Sequence, residues 1–345
     1  MSAGAADLDD LLDTDSLIGA VPEEEKPFMP MDSPRSLPEK GALARVVDRI
    51  LEKAEEELRS VCRTAGILLT VSMTCALFGA LHAGERAGRY VILAGVAAVG
   101  AAAMSDLDSI LQMGLHSLQQ MSDYSRVLLP VLTTAASAAG SLTAAGAKYA
   151  VTTVAMDMLL SLAGSVVLPC VGGYAALSLA NAAVGNDILK AAKRLAKWVC
   201  VTLTSALAMG FTAWLSLTGV VTGTADTLAA KMTKTAVSAA LPVVGGILSD
   251  AAGALSAAAG TVRSTVGVFG LLAVLGICLA GMIPLMIRYL VYKLAAAVCS
   301  CVADKRMGEL IGDLGACFSL VLALNGTGGL ILFVSVYSLM KTVVQ

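Results

Sequence analysis

The stretch AALPVVGGILSDA, Ala239 to Ala251, is apolar enough to lie in a bilayer, yet it carries a proline, a glycine pair and an aspartate. In a lipid-facing helix Pro242 would forfeit a backbone hydrogen bond, and Gly245 and Gly246 would loosen the helix further. Peptide groups freed in this way have no water to turn to in hydrocarbon, so such a segment must be buried in protein or line a wet cavity. Leu241 to Gly260 therefore reads as a re-entrant or broken helical hairpin. Asp250 falls near its tip or at a helix start, where Ser249 or Asp250 would cap exposed N–H groups. The alternative is a kinked but complete spanning helix.

The surrounding chain has the composition such a segment needs. Of 345 residues, 57% are hydrophobic and only 14% are charged, against roughly 25% in ordinary globular domains. With several apolar runs near 20 residues, this is an all-α, polytopic membrane protein placed in a lipid bilayer. Residues 1 to 63 hold 15 acids and 8 bases, net −7, and the remainder 11 acids and 16 bases, net +5. A soluble arm and a membrane body follow. The basic residues form no patch with interleaved aromatics, so nucleic acid is not a partner.

The order of parts can be read along the chain. Residues 1–40 form an acidic, proline-rich arm expected to be disordered, without the basic and apolar regions of a signal peptide. Residues 41–63 repeat apolar positions at helical spacing beside many charges, a surface helix. Residues 64–105 hold two membrane helices, Thr64 to Leu81 and Tyr90 to Met104. From Asp106 to Arg126, the residues Leu107, Ile110, Leu111, Leu115, Leu118 and Met121 share one face, which reads as an interfacial or packing helix.

Beyond that point the chain resembles itself. LPVLTTAASAAGSLTAAG, from Leu129 with Pro130, matches LPVVGGILSDAAGALSAAAG, from Leu241. Each is followed by a proline-bearing run, Val151 to Leu179 with Pro169 and Thr265 to Ile287 with Pro284. A basic stretch comes next, NDILKAAKRLAK at Asn186 and ADKRMGELIGDLG at Ala303, and then a span, Val199 to Val221 and Cys317 to Leu339. Two membrane repeats are expected, 106–222 and 223–345, each with a hairpin and two transmembrane helices. Both basic loops should face the cytoplasm, so the repeats would be parallel and the N-terminus outside.

Ionisable groups inside spans need a reason, and Asp157 and Asp250 are candidates for a water path or for holding a cation or proton. Their alternative is a carboxylate satisfied near the interface. Asn325 interrupts the last span and is placed to hydrogen-bond across helices. Lys190, Lys193, Arg194 and Lys197 lie on one stripe opposite Ile188 and Leu195, so this stretch should lie on the anionic leaflet or dock a cytoplasmic partner. Arg288 and Lys293 read as snorkelling to headgroups. Of the pairs Gly84/Gly88, Gly219/Gly223 and Gly308/Gly312, only the second falls at an expected span.

The eight cysteines read as packing residues, and no metal or cofactor is expected. Zincin, nucleophile-elbow and P-loop motifs are absent, which argues against an enzyme.

The strings SAALPVVGGILSDA, MSDYSRVLLPVL and IPLMIRYLVYKLAAAV together resemble the stage III sporulation protein AE family of endospore-forming bacteria, from about Asp106 to the C-terminus. The resemblance implies a permease-like component of the secretion-like channel between mother cell and forespore, in the mother-cell membrane around the forespore. It implies as partners the other proteins of the stage III sporulation A operon, including a cytoplasmic ATPase, and a forespore-side membrane protein. A homo-oligomer is also compatible with the sequence.

Overall fold

The computed structural model describes residues 42–81, 85–138, 142–217, 265–302 and 305–344. Every described element is helical: α1 (Ala42–Leu81), α2 (Glu85–Ala138), α3 (Leu142–Leu162), a π-helical turn (Ala163–Val167), α4 (Leu168–Val184), α5 (Asp187–Leu217), α6 (Thr265–Val302) and α7 (Lys305–Val344). Six stretches among the described residues are long and apolar enough to cross a membrane, as in a multi-pass membrane protein.

Helices with no water to drive them together pack through close van der Waals approach, which small residues permit. α6 and α7 form such an antiparallel pair. A Cβ at Gly308 would collide with Ser300, one at Gly312 would lie 3.6 Å from Ala296 Cβ, and one at Gly315 would lie 3.3 Å from Tyr292 Cβ. Gly308 and Gly312 are thus a working contact pair, although their sequence position put them outside a span. α2 runs parallel to α7, because Gly95 meets Met307, Gly114 meets Val321, and Gly328 meets Leu118 and Met121. α7 lies at the centre, with Ile311, Cys317, Val321, Asn325, Leu332 and Val336 each fully buried.

The turn between α4 and α5 follows from local chemistry. Gly185 takes the left-handed conformation, φ 72°, and its N–H donates to Asn181 O at 2.7 Å. A residue without Cβ meets no steric penalty in that conformation. Asn186 Oδ1 then accepts from the Ile188 N–H at 3.0 Å and caps α5, with Asp187 in its first turn. A Cβ at Gly185 would lie 3.4 Å from the Arg306 guanidinium carbon. The two basic stretches therefore meet at one end of the bundle.

Several expected boundaries are crossed by continuous helix. The surface helix and first span are both α1. The second span, the amphipathic stretch from Asp106 and the segment from Leu129 all belong to α2, with Pro130 inside it. A proline at 130 cannot donate to the Arg126 carbonyl, but the helix continues for two more turns. The described residues of Leu129 to Gly146 are thus the end of α2 and the start of α3, two long helices in contact. Pro169 opens α4 behind the π turn, whereas Pro284 sits inside unbroken α6. The second expected hairpin, with Pro242, Gly245, Gly246, Ser249 and Asp250, lies outside the described residues.

Candidate functional site: a polar belt around the central helix

Charged and phenolic groups from α1, α2, α4, α5 and α6 gather around α7 near Asp313 and Phe318. On one side Tyr174 of α4 donates its hydroxyl to Asp313 Oδ1 at 2.8 Å, and Lys193 of α5 forms an ion pair with Asp313 Oδ2. On the other side Tyr292 of α6 donates to Asp106 Oδ2 of α2 at 2.8 Å. Its ring meets Phe318 edge-on, with centroids 4.6 Å apart. One turn back on α6, Arg288 pairs with Glu57 of α1 at 3.2 Å and reaches Ser109 Oγ of α2 at 3.5 Å.

The burial of these groups sets their energetics. The side chains of Lys193 and Asp313 are 15% and 20% exposed, and those of Arg288 and Glu57 are 10% and 20% exposed. Charges taken out of water at such sites persist because each is paired and hydrogen-bonded. One hydrogen-bonding group stays unmatched: Arg288 Nε is buried and has no partner among the described residues. Higher in the bundle the hydroxyls of Ser117, Ser122 and Tyr124 and the Asn325 Oδ1 are also buried without a partner among those residues. Ser117 faces Gly281 of α6, and Asn325 lies beside Gly114 of α2, so this second polar level sits inside the α2–α6–α7 core.

The residues singled out in the sequence are dispersed across this frame. Asp157 is exposed on α3 and pairs with Arg126 of α2 at 2.8 Å, apart from the belt. Asn325 is fully buried, but its Nδ2 donates to Val321 O of its own helix at 3.1 Å. The expected bond across helices is therefore not the one it makes. In the basic stripe, Lys190 makes a surface pair with Asp187 at 3.5 Å, and Arg194 and Lys197 are exposed. Lys193 turns inward instead and belongs to the belt, and the stripe is the opening of α5 in place of a separate helix lying flat. Arg288 is likewise no snorkelling residue, being 8% exposed and ion-paired.

Sequence reasoning did not find Glu57, Asp106, Tyr174, Tyr292 or Asp313. Their only signal was an acid or phenol beside an apolar run. Glu57 and Arg288 are 231 positions apart, and nothing local couples them.

Among the described residues no group of three His, Cys, Asp or Glu side chains is placed to hold a metal ion. The cysteines among them are all free thiols.

A bundle of long apolar helices with paired charges in its interior defines a polytopic membrane protein, with no constellation of catalytic residues among those described. The match to the family model of stage III sporulation protein AE runs over residues 38–342, and the chain belongs to that family. It is a membrane protein of sporulation, and membership implies a place in the complex encoded with it. The match begins well before Asp106, where the resemblance in the sequence was seen, and takes in α1 and all of α2. No curated protein and no solved structure matches the chain.

Proposed function

We propose that this protein is the permease-like component of the channel complex between mother cell and forespore, and that it sits in the mother-cell membrane surrounding the forespore. The observation that carries this reading is the belt. Ionisable side chains inside a membrane bundle are costly and often mark substrate or ion pathways. Glu57, Asp106, Lys193, Arg288 and Asp313 gather on neighbouring turns of the bundle, and unmatched hydroxyl and amide groups lie farther along its core. The segment with Pro242, Gly245, Gly246, Ser249 and Asp250 joins α5 to α6 and would line or gate such a pathway as a broken hairpin. The partners of the proposal are a cytoplasmic ATPase, docking near Lys190, Arg194 and Lys197, and a forespore-side membrane protein.

Tyr174→Phe and Tyr292→Phe remove one hydroxyl each and leave the packing volume. Solute passage into the forespore should fall several-fold in the double variant while the complex still assembles. Asp250→Asn should do the same if the hairpin gates the path. Assembly and passage lost together, in proportion, would make the protein a structural platform and overturn the conduit.

A further inference from the structure

The outward faces of the helices are mostly apolar, as lipid requires: Ile67, Met73 and Leu77 on α1, Met209 on α5, and Leu290, Leu294 and Val298 on α6 are all exposed. α2 departs from this rule. Its first part exposes the apolar Tyr90, Leu93 and Met104, but from Ser105 to Arg126 every exposed position, Ser105, Asp108, Ser109, Gln112, His116, Gln119, Asp123 and Arg126, is polar. Apart from Asp108, which flanks Ser109, they follow one another at alternating steps of four and three residues, the spacing of a straight seam between two helices wound left-handedly about each other. Intervening positions Ile110, Leu118, Met121 and Leu128 are buried against the protein's own core.

The depth of this seam is fixed by contacts on the opposite face. Gly114 meets Val321 and Asn325, and Gly328 meets Leu118 and Met121. Gln112 to Gln119 therefore stand level with Val321 to Asn325, within the apolar stretch of α7. Amides, an imidazole and charges cannot be left against acyl chains at that depth.

We infer that the seam is covered by the α2 seam of a second copy of this chain. Two copies inserted with the same topology related by a two-fold axis along the membrane normal bring each seam residue opposite itself. The chemistry suits that arrangement. Ser, Gln and neutral His each carry both a donor and an acceptor, so each can bond its own equivalent. Asp123 and Arg126 are of opposite sign and one turn apart, so they can pair across the axis as well as within the chain. Beside them, exposed Val154 and Met158 of α3 supply an apolar flank next to the Arg126–Asp157 pair. Polar side chains hydrogen-bonding across helices are an established source of association in membranes. The inference goes beyond conduction: the copies would pair in a platform as well as in a conduit.

The test is disulfide formation in intact membranes with the full chain, in a background carrying Cys62→Ser and Cys301→Ser. Gln112→Cys, His116→Cys and Gln119→Cys should each yield a covalent dimer, whereas Leu290→Cys and Leu294→Cys on α6 should not. Dimers at Met113→Cys and Gln120→Cys as strong as at the seam positions, or no dimer at any of the three, would overturn the pairing. Labelling of the three seam thiols by a membrane-impermeant maleimide without dimer formation would also overturn it, in favour of a water-lined face. The triple variant Gln112→Leu/His116→Leu/Gln119→Leu, built to keep the monomer folded in lipid, should lose the dimer in mild detergent, and a persistent dimer would refute the role of the polar groups.

Discussion

Lys193 and Asp313, 120 positions apart, form an ion pair inside the bundle, and the hydroxyl of Tyr174 completes the carboxylate's coordination from a third helix. A lysine read from sequence as part of a lipid-facing stripe thus ties α5 to the central helix. Its neighbours Arg194 and Lys197 stay outside.

Removing one partner of that pair leaves a charge buried without compensation, so Lys193→Met or Asp313→Asn should each cost about 3 kcal/mol or more of stability. The double variant Lys193→Met/Asp313→Leu should recover much of the loss, as apolar replacement of a whole buried pair commonly does. Thermal unfolding in detergent, followed by helical circular dichroism, measures both.

Arg288 should behave in the same way on the other side of α7. Arg288→Gln breaks the contact with Glu57 and leaves that carboxylate at 20% exposure, so a loss of about 3 kcal/mol is expected. Arg288→Lys keeps the charge but not the planar fork that reaches Glu57 and Ser109 together, and it should recover only part of the loss. A protease-susceptibility series on the purified protein separates the two variants.

Asp157 gives a contrasting expectation. Its pair with Arg126 has side chains 51% and 55% exposed, so in the isolated chain Asp157→Asn should change stability by less than about 1 kcal/mol. A loss comparable to Asp313→Asn, in the same unfolding assay on the detergent-solubilised monomer, would contradict the exposed placement.

Gly185→Ala should destabilise the α4–α5 turn by about 1 to 2 kcal/mol, because a residue with Cβ is strained at φ 72°. Gly185→Asn, which tolerates that conformation better, should fall between the two. Gly308→Leu should do more damage than either, since its side chain would enter the Ser300 contact between α6 and α7.

Much of the fold was legible in the residues alone. Apolar runs of membrane length marked the helices. The breaks were harder to read. Pro130 and Pro284 looked like interruptions, yet each stands inside a continuous helix packed against its neighbours, and propensity yields to such packing. The amphipathic face of α2 was also plain in the pattern, but not its setting: an identical pattern lies on a membrane surface or runs through a bundle core, depending on what packs against its apolar side.

The sequence by itself determined that this chain is helical, spans a membrane many times and belongs with a sporulation family, because hydrophobic length and the LPVVGG string are local properties. Only the tertiary structure decided that Glu57 answers Arg288, that Lys193 answers Asp313 and that the polar face of α2 points outward at the depth of α7. Those facts depend on which helices lie side by side. The buried pairs that join α1 to α6 and α5 to α7 act across more than a hundred residues, and no window along the chain contains both halves of such a choice.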